Sequence, residues 1–336
     1  MCIAAERIDP FSRLFVRRGS KTRIIKTVET LGQKIRLKAD ELGFCKIGIV
    51  PVDALDGEGA RFAEWLGNGF HGEMAWMARD AEKRSDPKII FPDARTVVVV
   101  AMNYYTPHEH IDSASRGKIS RYAWGDDYHE VVRGKLFSLL EWIKSEVPKA
   151  VGKVCVDTTP VLEKAWAVRA GIGWLGKHSN VITTDHGSWV FLGEILLNVE
   201  LEYDAEVVPD HCGSCTACLD ACPTKAIVEP YVVDSRRCIS YATIELRSDE
   251  LPHEVADNLN GWLYGCDICQ DVCPWNRFET PTTEPRFAPR RSETSLELAS
   301  VAEMTQKEYV KRFRGSAMKR TKLNGLKRNA AVLARK

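Results

Sequence analysis

At 336 residues, with 44% hydrophobic and 28% charged side chains, the chain has the make-up of an ordinary globular protein of about two domains, which excludes fibrous and disordered classes. Its 47 Lys and Arg against 46 Asp and Glu leave a formal net charge of +1, so total charge names no partner, although basic residues crowd toward the C-terminus. No run approaches the roughly 18 apolar residues that span a bilayer, and the eleven cysteines, with no secretory leader before them, favour a reduced, cytoplasmic compartment over a disulfide scaffold.

Residues 1–20 read as an extension. Arg17 and Arg18 resemble a twin-arginine export signal, but the charged stretch KTVETLGQK follows where such a signal needs an apolar segment. From Ile24 the apolar positions Ile24, Val28, Leu31, Ile35 and Leu42 recur at close to helical spacing, and Gly43 stands where a helix would stop. FCKIGIV (44–50) and RTVVVVAMNYY (95–105) then predict strands, the second apolar on both faces and so central in a covered sheet. KVCVDT and WVFLGEILLN predict two more, with helical patterns around 128–145 and 161–170. This alternation predicts a three-layer α/β domain over 21–205. A small second domain over 206–280 holds eight of the eleven cysteines in short turns. In 281–336, PTTEPRFAPRR reads as a Pro-rich linker and the remainder as helical and basic.

Cys212, Cys215, Cys218 and Cys222, followed by Pro223, have the two-, two- and three-residue gaps of a bacterial ferredoxin run, whose fourth cysteine serves the other cluster. Cys238, Cys266, Cys269 and Cys273, followed by Pro274, supply the complement. The spacing therefore predicts one 4Fe-4S cluster on Cys212, Cys215, Cys218 and Cys273, and a second on Cys222, Cys238, Cys266 and Cys269. Paired zinc sites are the rival, since zinc also accepts closely spaced thiolates, but the doubled run with its prolines favours clusters. Cys45 and Cys155, on predicted strands, read as small buried hydrophobes, and Cys2 has no pattern. Two clusters relay electrons, so the α/β domain should hold their acceptor. It has no Gly-rich dinucleotide fingerprint after its first strand, which argues against NAD.

Asp157 ends the apolar strand KVCV, where sheets of this kind place their sites. Desolvation there would raise its pKa and make it a proton donor; Asp is equally a frequent helix cap, and the pattern alone favours capping. Glu163, Lys164 and Arg169 read as a solvated helix face with local ion pairs. The glycines of GIGWLGKHSN admit either a large flat ligand or simple tight turns. Asp127-Tyr-His129 begins like the Asp-x-His-x-x-Gly cobalamin motif, but Val132 stands where that motif needs Gly, and the match is set aside.

HGEMAWMAR, SRYAWGDDYH, VDTTPVLEKAWAVRAGIGWLGKHS, CTACLDACPTKAIVEPYVVDSRRCISYATIEL and YGCDICQDVCPWNR together resemble the epoxyqueuosine reductase family, over about residues 30–330. The resemblance implies a nitroreductase-like domain binding cobalamin beside a ferredoxin-like domain with two 4Fe-4S clusters, and a tRNA whose wobble epoxyqueuosine is reduced to queuosine. It places the proton donor on Asp157, against the capping reading, and cobalamin contacts at Arg84, Ser120, Asp157, Val181, Leu192 and Ser240. It also implies single electrons passed through the clusters to cobalt from a donor such as a flavodoxin or ferredoxin, in a cytoplasmic monomer. A corrinoid reductive dehalogenase shares this cofactor set but is typically exported. A corrinoid carrier or electron-transfer protein would need neither a proton donor nor a polyanion-binding surface. Lys311, Arg312, Arg314, Lys319, Arg320, Lys322, Lys327 and Arg328 form either a solvated face or, given the implied substrate, an RNA-binding surface that Lys225 and Arg277 extend.

Overall fold

The computed structural model describes residues 29–111, 113–204 and 206–335. Cys2, the Arg17–Arg18 pair and the helical positions predicted at Ile24 and Val28 lie outside them. Helix α1 (Leu31–Glu41) starts from a capping box, in which Thr30 accepts from the Gln33 N–H and Gln33 accepts from that of Thr30. It ends at Leu42 because Gly43 takes φ +86°, a conformation that costs glycine little. Ile35 and Ala39, one turn apart, are its buried stripe.

The central sheet joins β1 (Lys46–Pro51), β2 (Thr96–Asn103), β3 (Gly152–Cys155) and β4 (Val190–Leu197) in the order β1-β2-β4-β3. Every residue of β2 is buried. Period-two alternation divides them: Val98, Val100 and Met102 face one core with α1 and helix α2 (Tyr128–Glu146), while Val97, Val99 and Ala101 face another with helix α3 (Glu163–Arg169). Three layers result. All three strand pairings are antiparallel, so double coverage here does not come with the parallel order that helix–strand alternation usually brings.

A third core forms around a three-stranded sheet, in which Arg116–Ile119 pairs parallel with Trp262–Tyr264 and antiparallel with Ser295–Glu297. Trp124, Leu263, Tyr264, Met318 and Leu326 share this core. Packing therefore runs across the boundaries drawn from sequence near 205 and 280. Helices Leu298–Glu303, Gln306–Arg312 and Lys322–Leu333 complete it, the last burying Leu323, Leu326, Ala330 and Leu333.

The stretch 281–291 corrects the linker reading. Phe287, 4% exposed, meets Phe191 edge-on with ring centroids 5.1 Å apart. Buried Glu284 pairs with Lys135 at 2.9 Å, and the Arg286 carbonyl accepts from the Asp126 N–H. Prolines that bar a helix still permit ordered 3-10 turns, and here they form a strap across the first core. Among the described residues no helix is long and apolar enough to cross a membrane.

Candidate active site and cysteine centres

Asp157 lies two residues beyond β3 at φ +44°, a left-handed conformation that costs a non-glycine residue and marks functional sites when its surroundings hold it. Two bonds hold it: its backbone N–H donates to Glu163 Oε1, and the neighbouring Thr158 hydroxyl accepts from Arg133 at 3.0 Å. It caps no helix, since α3 begins after Leu162 with no side-chain cap. Its carboxyl Oδ2 instead lies 2.8 Å from His129 Nε2. His129 sits in the first turn of α2, which Asp127 caps, and Asp127 Oδ1 is 2.7 Å from His129 Nδ1.

This geometry reverses the expected protonation. Burial pushes the Asp157 carboxyl up, but the hydrogen bond and charge of His129, aided by the Tyr128 hydroxyl, outweigh it and hold the group below its ordinary value. Burial lowers His129, yet its two carboxylate partners lift it to about 9. Near neutral pH the transferable proton thus rests on the imidazole. His129 is the residue that sequence reasoning missed. Its signal is the Asp127-Tyr-His129 stretch, which fails as a cobalamin motif for want of a glycine at Val132.

The Asp157 side chain is 52% exposed, and Thr158 and Lys164 are exposed as well. Even so, burial is the largest influence on the titration of both Asp157 and Lys164. Water reaches these groups while protein surrounds them, as on the floor of an open hollow. The surface hollows near Trp124 and Arg290 are not lined by Asp157. Behind the floor, Glu163 is pushed up to about 8 by burial and by the charge of Asp157. Glu194 on β4 is fully buried, and neither of its carboxyl oxygens has a hydrogen-bond partner. A carboxylate so placed takes up a proton rather than stay charged.

Arg84 is buried, bonds the Met77 carbonyl, and feels the charges of Asp157 and Glu163. Val181 packs in the core beneath α3 and Leu192 against it. Ser120, also buried, donates to Asp267 inside the second cysteine run, and the Ser240 N–H is directed at Cys238. The structure thus brings Arg84 to Asp157, and Ser120 and Ser240 to the cysteines. The glycines of GIGWLGKHSN make room for protein: a Cβ on Gly173 would stand 2.0 Å from the Ile182 carbonyl oxygen. Lys164 is no solvated ion-pair residue either, since its Nζ donates to the Ser179 carbonyl and to Asn180.

The eight cysteines are free thiols in two groups. Cys218 feels the charges of Cys273 and Cys212, and Cys273 those of Cys212 and Cys215. Cys238 feels Cys222; Cys266 feels Cys238 and Cys269; Cys269 feels Cys238 and Cys222. Cys218 also acts on Cys269, so the groups adjoin. Among the described residues no three Cys, His, Asp or Glu side chains close around a single ion. Thiolates at the corners of an iron–sulfur cube stand further apart than ligands of one ion, and backbone N–H groups suited to such thiolates are in place, including Ala226 N, 3.2 Å from Cys222 Sγ. The donor set fits two 4Fe-4S clusters. Lys164 feels both Cys269 and Asp157, which sets the second group beside the hollow. Cys155 is buried and Cys45 half-buried, both pushed up to about 12 by burial, in keeping with packing roles.

The basic residues divide. Arg312 pairs with Glu293 and Arg320 with Glu245, each through two oxygens, and Arg328 donates to the carbonyls of Ala242, Leu246 and Ser248. Lys311, Arg314, Lys319 and Lys322 are exposed, as are Lys225, whose ammonium bonds the Asp220 carbonyl, and Arg277, which lies over the Phe278 ring.

Residues 84–158 match the family model described as epoxyqueuosine reductase QueG, DUF1730, and residues 211–276 match a 4Fe-4S double cluster binding domain. A Cellulophaga algicola protein named epoxyqueuosine reductase is 47% identical over 309 residues, covering 92% of this chain and 100% of that protein. A Synechocystis protein of the same name is 49% identical over 287 residues, covering 84% and 98%. A crystal structure of epoxyqueuosine reductase with an epoxyqueuosine-modified tRNA-Tyr stem loop superposes with TM-score 0.84 at 33% identity, over 90% of this chain and 80% of that one. The Bacillus subtilis enzyme, with an aspartate-bearing catalytic loop swung out of its active site, gives TM-score 0.82 at 32% identity over the same shares. These likenesses favour the reductase reading over the dehalogenase and carrier readings. The chain belongs to the epoxyqueuosine reductase family, oxidoreductases that use cobalamin and two 4Fe-4S clusters.

Proposed function

We propose that this chain reduces epoxyqueuosine at the wobble position of a tRNA anticodon to queuosine, with the His129–Asp157 pair as its proton source. The observation that carries this is the 2.8 Å contact between His129 Nε2 and Asp157 Oδ2 on the floor of a hollow that borders the second cysteine group. A hollow of that kind suits a corrinoid, which when bound supplies the reducing equivalents at cobalt. The chain's own residues do the rest. Asp127 fixes the ring of His129 from its far edge, His129 passes its proton to Asp157, and Asp157 delivers it to the departing epoxide oxygen, an otherwise poor leaving group. Arg84 is the side chain best placed to meet the cofactor near Asp157, while Val181, Leu192, Ser120 and Ser240 shape the walls around it.

Electrons enter at the first cysteine group, which contains the one exposed thiol of the eight, Cys215, and leave by the second, beside Lys164. A flavodoxin or ferredoxin would dock there, and a cytoplasmic monomer suits both partners. The test is nucleoside analysis of epoxyqueuosine-containing tRNA after incubation with cobalamin-reconstituted, anaerobically reduced protein. Wild type should yield queuosine. Asp157→Asn should keep the cofactor spectra and lose about a hundredfold or more in turnover, the range for a positioned acid. Wild-type turnover by Asp157→Asn would overturn the reading.

A further inference from the structure

Removing an epoxide oxygen as water takes two electrons and two protons: both C–O bonds break and a C=C bond forms. The electrons arrive through the clusters. The His129–Asp157 pair holds one transferable proton, and on the proposed reading, on which this inference rests, that proton meets the first C–O cleavage. A second must reach the same oxygen from a group already in place, because the hollow will be filled by cofactor and nucleotide when it is needed.

We propose that Glu163 and Glu194 form a buried two-carboxyl proton store that supplies this second proton. Glu163 opens α3 and its carboxyl touches the backbone N–H of Asp157, so it stands at the back of the hollow. Glu194 lies behind it on β4, opposite Cys155 of β3 and Val99 of β2, wholly buried and with both oxygens unpartnered. The charge of Glu163 raises Glu194 and that of Asp157 raises both, so the three form one connected group. The remaining charges facing it are His129 on α2, Lys164 on α3, Arg84 on the helix Ala81–Ser85 and Arg320 ahead of the last helix. None of these is hydrogen-bonded to Glu194, whereas an ordinary buried carboxylate would have such a partner. Wholly buried, unpartnered and facing the charges of Glu163 and Asp157, Glu194 keeps its proton at neutral pH. Burial and repulsion bring Glu163 to about 8, which suits release on demand.

A purely structural account makes Glu163 the anchor of the left-handed Asp157 turn. Glu163→Gln keeps the anchoring carbonyl oxygen and removes the proton, and Glu194→Gln keeps the volume of the protonated acid. The holoprotein is first titrated by infrared spectroscopy, where the C=O stretch of a protonated carboxyl stands apart from the carboxylate band. Wild type should show it at pH 7, weakening as pH rises past about 8; Asp157→Asn, which removes a charge that raises Glu163, should show it weakening at lower pH, and Glu194→Gln should lack it or show it diminished. Turnover of tRNA is then followed against pH. Wild type should decline first near pH 8 and again near pH 9, whereas Glu163→Gln and Glu194→Gln should be slowed about a hundredfold at pH 7, Glu163→Gln with no step near 8. Absence of the protonated-carboxyl band in wild type overturns the store, and so does a variant with wild-type turnover and pH profile. Failure of the underlying reading is distinguishable, because it appears as full activity in Asp157→Asn whatever the glutamate variants do.

Discussion

His129 Nε2 lies 2.8 Å from Asp157 Oδ2, and this contact spans the sheet edge, joining the first turn of α2 to the turn that follows β3. Because Asp127 holds the other ring nitrogen at 2.7 Å, the imidazole is fixed in orientation and in charge. His129→Gln should therefore leave cofactor content unchanged and reduce turnover about a hundredfold at pH 7. Its folded pKa is raised from 6.5 to about 9, so what the ion pairs add to stability is complete below pH 6.5 and is lost as pH rises through about 9. A pH series of thermal melts compares the proteins: wild type should lose stability across that window and His129→Gln should lose less. Parallel profiles would mean that the ring is not charged in the folded protein.

Cys215→Ser and Cys269→Ser should each damage a different cluster, because they fall in different electrostatic groups. Cys269 lies on the side of Lys164 and Asp157, so its loss should also block electron delivery to the hollow, while Cys215→Ser should leave the second cluster reducible. Iron and sulfide analysis with electron paramagnetic resonance of the reduced proteins measures this. Loss of the same signal in both variants would mean that the eight thiols are shared differently.

Lys135 and Glu284 hold the strap to α2, with Glu284 only 7% exposed. Burial by itself would raise Glu284, but hydrogen bonds from Arg286 and Lys135 bring it down to about 2. Its stabilisation is thus present above its ordinary value of 4.5 and fades as pH falls toward 2. Lys135→Met leaves the buried carboxylate with one partner fewer and should cost about 3 kcal/mol at pH 7, with the difference from wild type shrinking between pH 5 and pH 3. Melting curves across that range decide it, and an unchanged midpoint would return the strap to a loose linker.

What the chain displays openly is whatever depends on near neighbours. The cysteine groups follow from gaps of two and three residues, and β2 follows from TVVVVAMN, whose two apolar faces require cover on both sides. Most of the misreadings involve partners far apart in sequence. His129 meets Asp157 across 28 positions, and Arg320 meets Glu245 across 75. The strands Arg116–Ile119, Trp262–Tyr264 and Ser295–Glu297 are three or four residues long, too short for an alternation to register, and each forms only because the others are there. Pro285 and Pro289 suggest a linker because composition reports what a segment cannot form, not what it rests against. Asp157 looks like a cap for a related reason: the helix it would cap begins six residues later, after a turn that Glu163 and Arg133 help to hold in shape.

The run of eight cations near the C-terminus suggests one phosphate-binding surface, but the structure divides it by purpose. Arg320 is tied to Glu245 by two bonds of 2.7 and 2.8 Å, lies 5.6 Å from the Trp76 ring centroid and contributes to the low pKa of Asp157. Reversing its charge would disturb the active site along with any RNA binding. Arg312, paired with Glu293, is similarly committed. Arg314, Lys319 and Lys322 are exposed and make no ion pair among the described residues, so they are the clean probe. If they neutralise phosphates, their joint reversal to Glu should weaken binding of the tRNA anticodon stem loop and lower the slope of log K against log salt, by about 0.7 for each single-strand phosphate no longer neutralised. Cobalamin and iron content should not change. Lys225→Glu and Arg277→Glu, on the cysteine-bearing segment, should add to the effect if the same RNA reaches them. A salt titration of stem-loop binding by wild type and the triple variant measures the slope, and two coincident lines would make these three cations an ordinary solvated face.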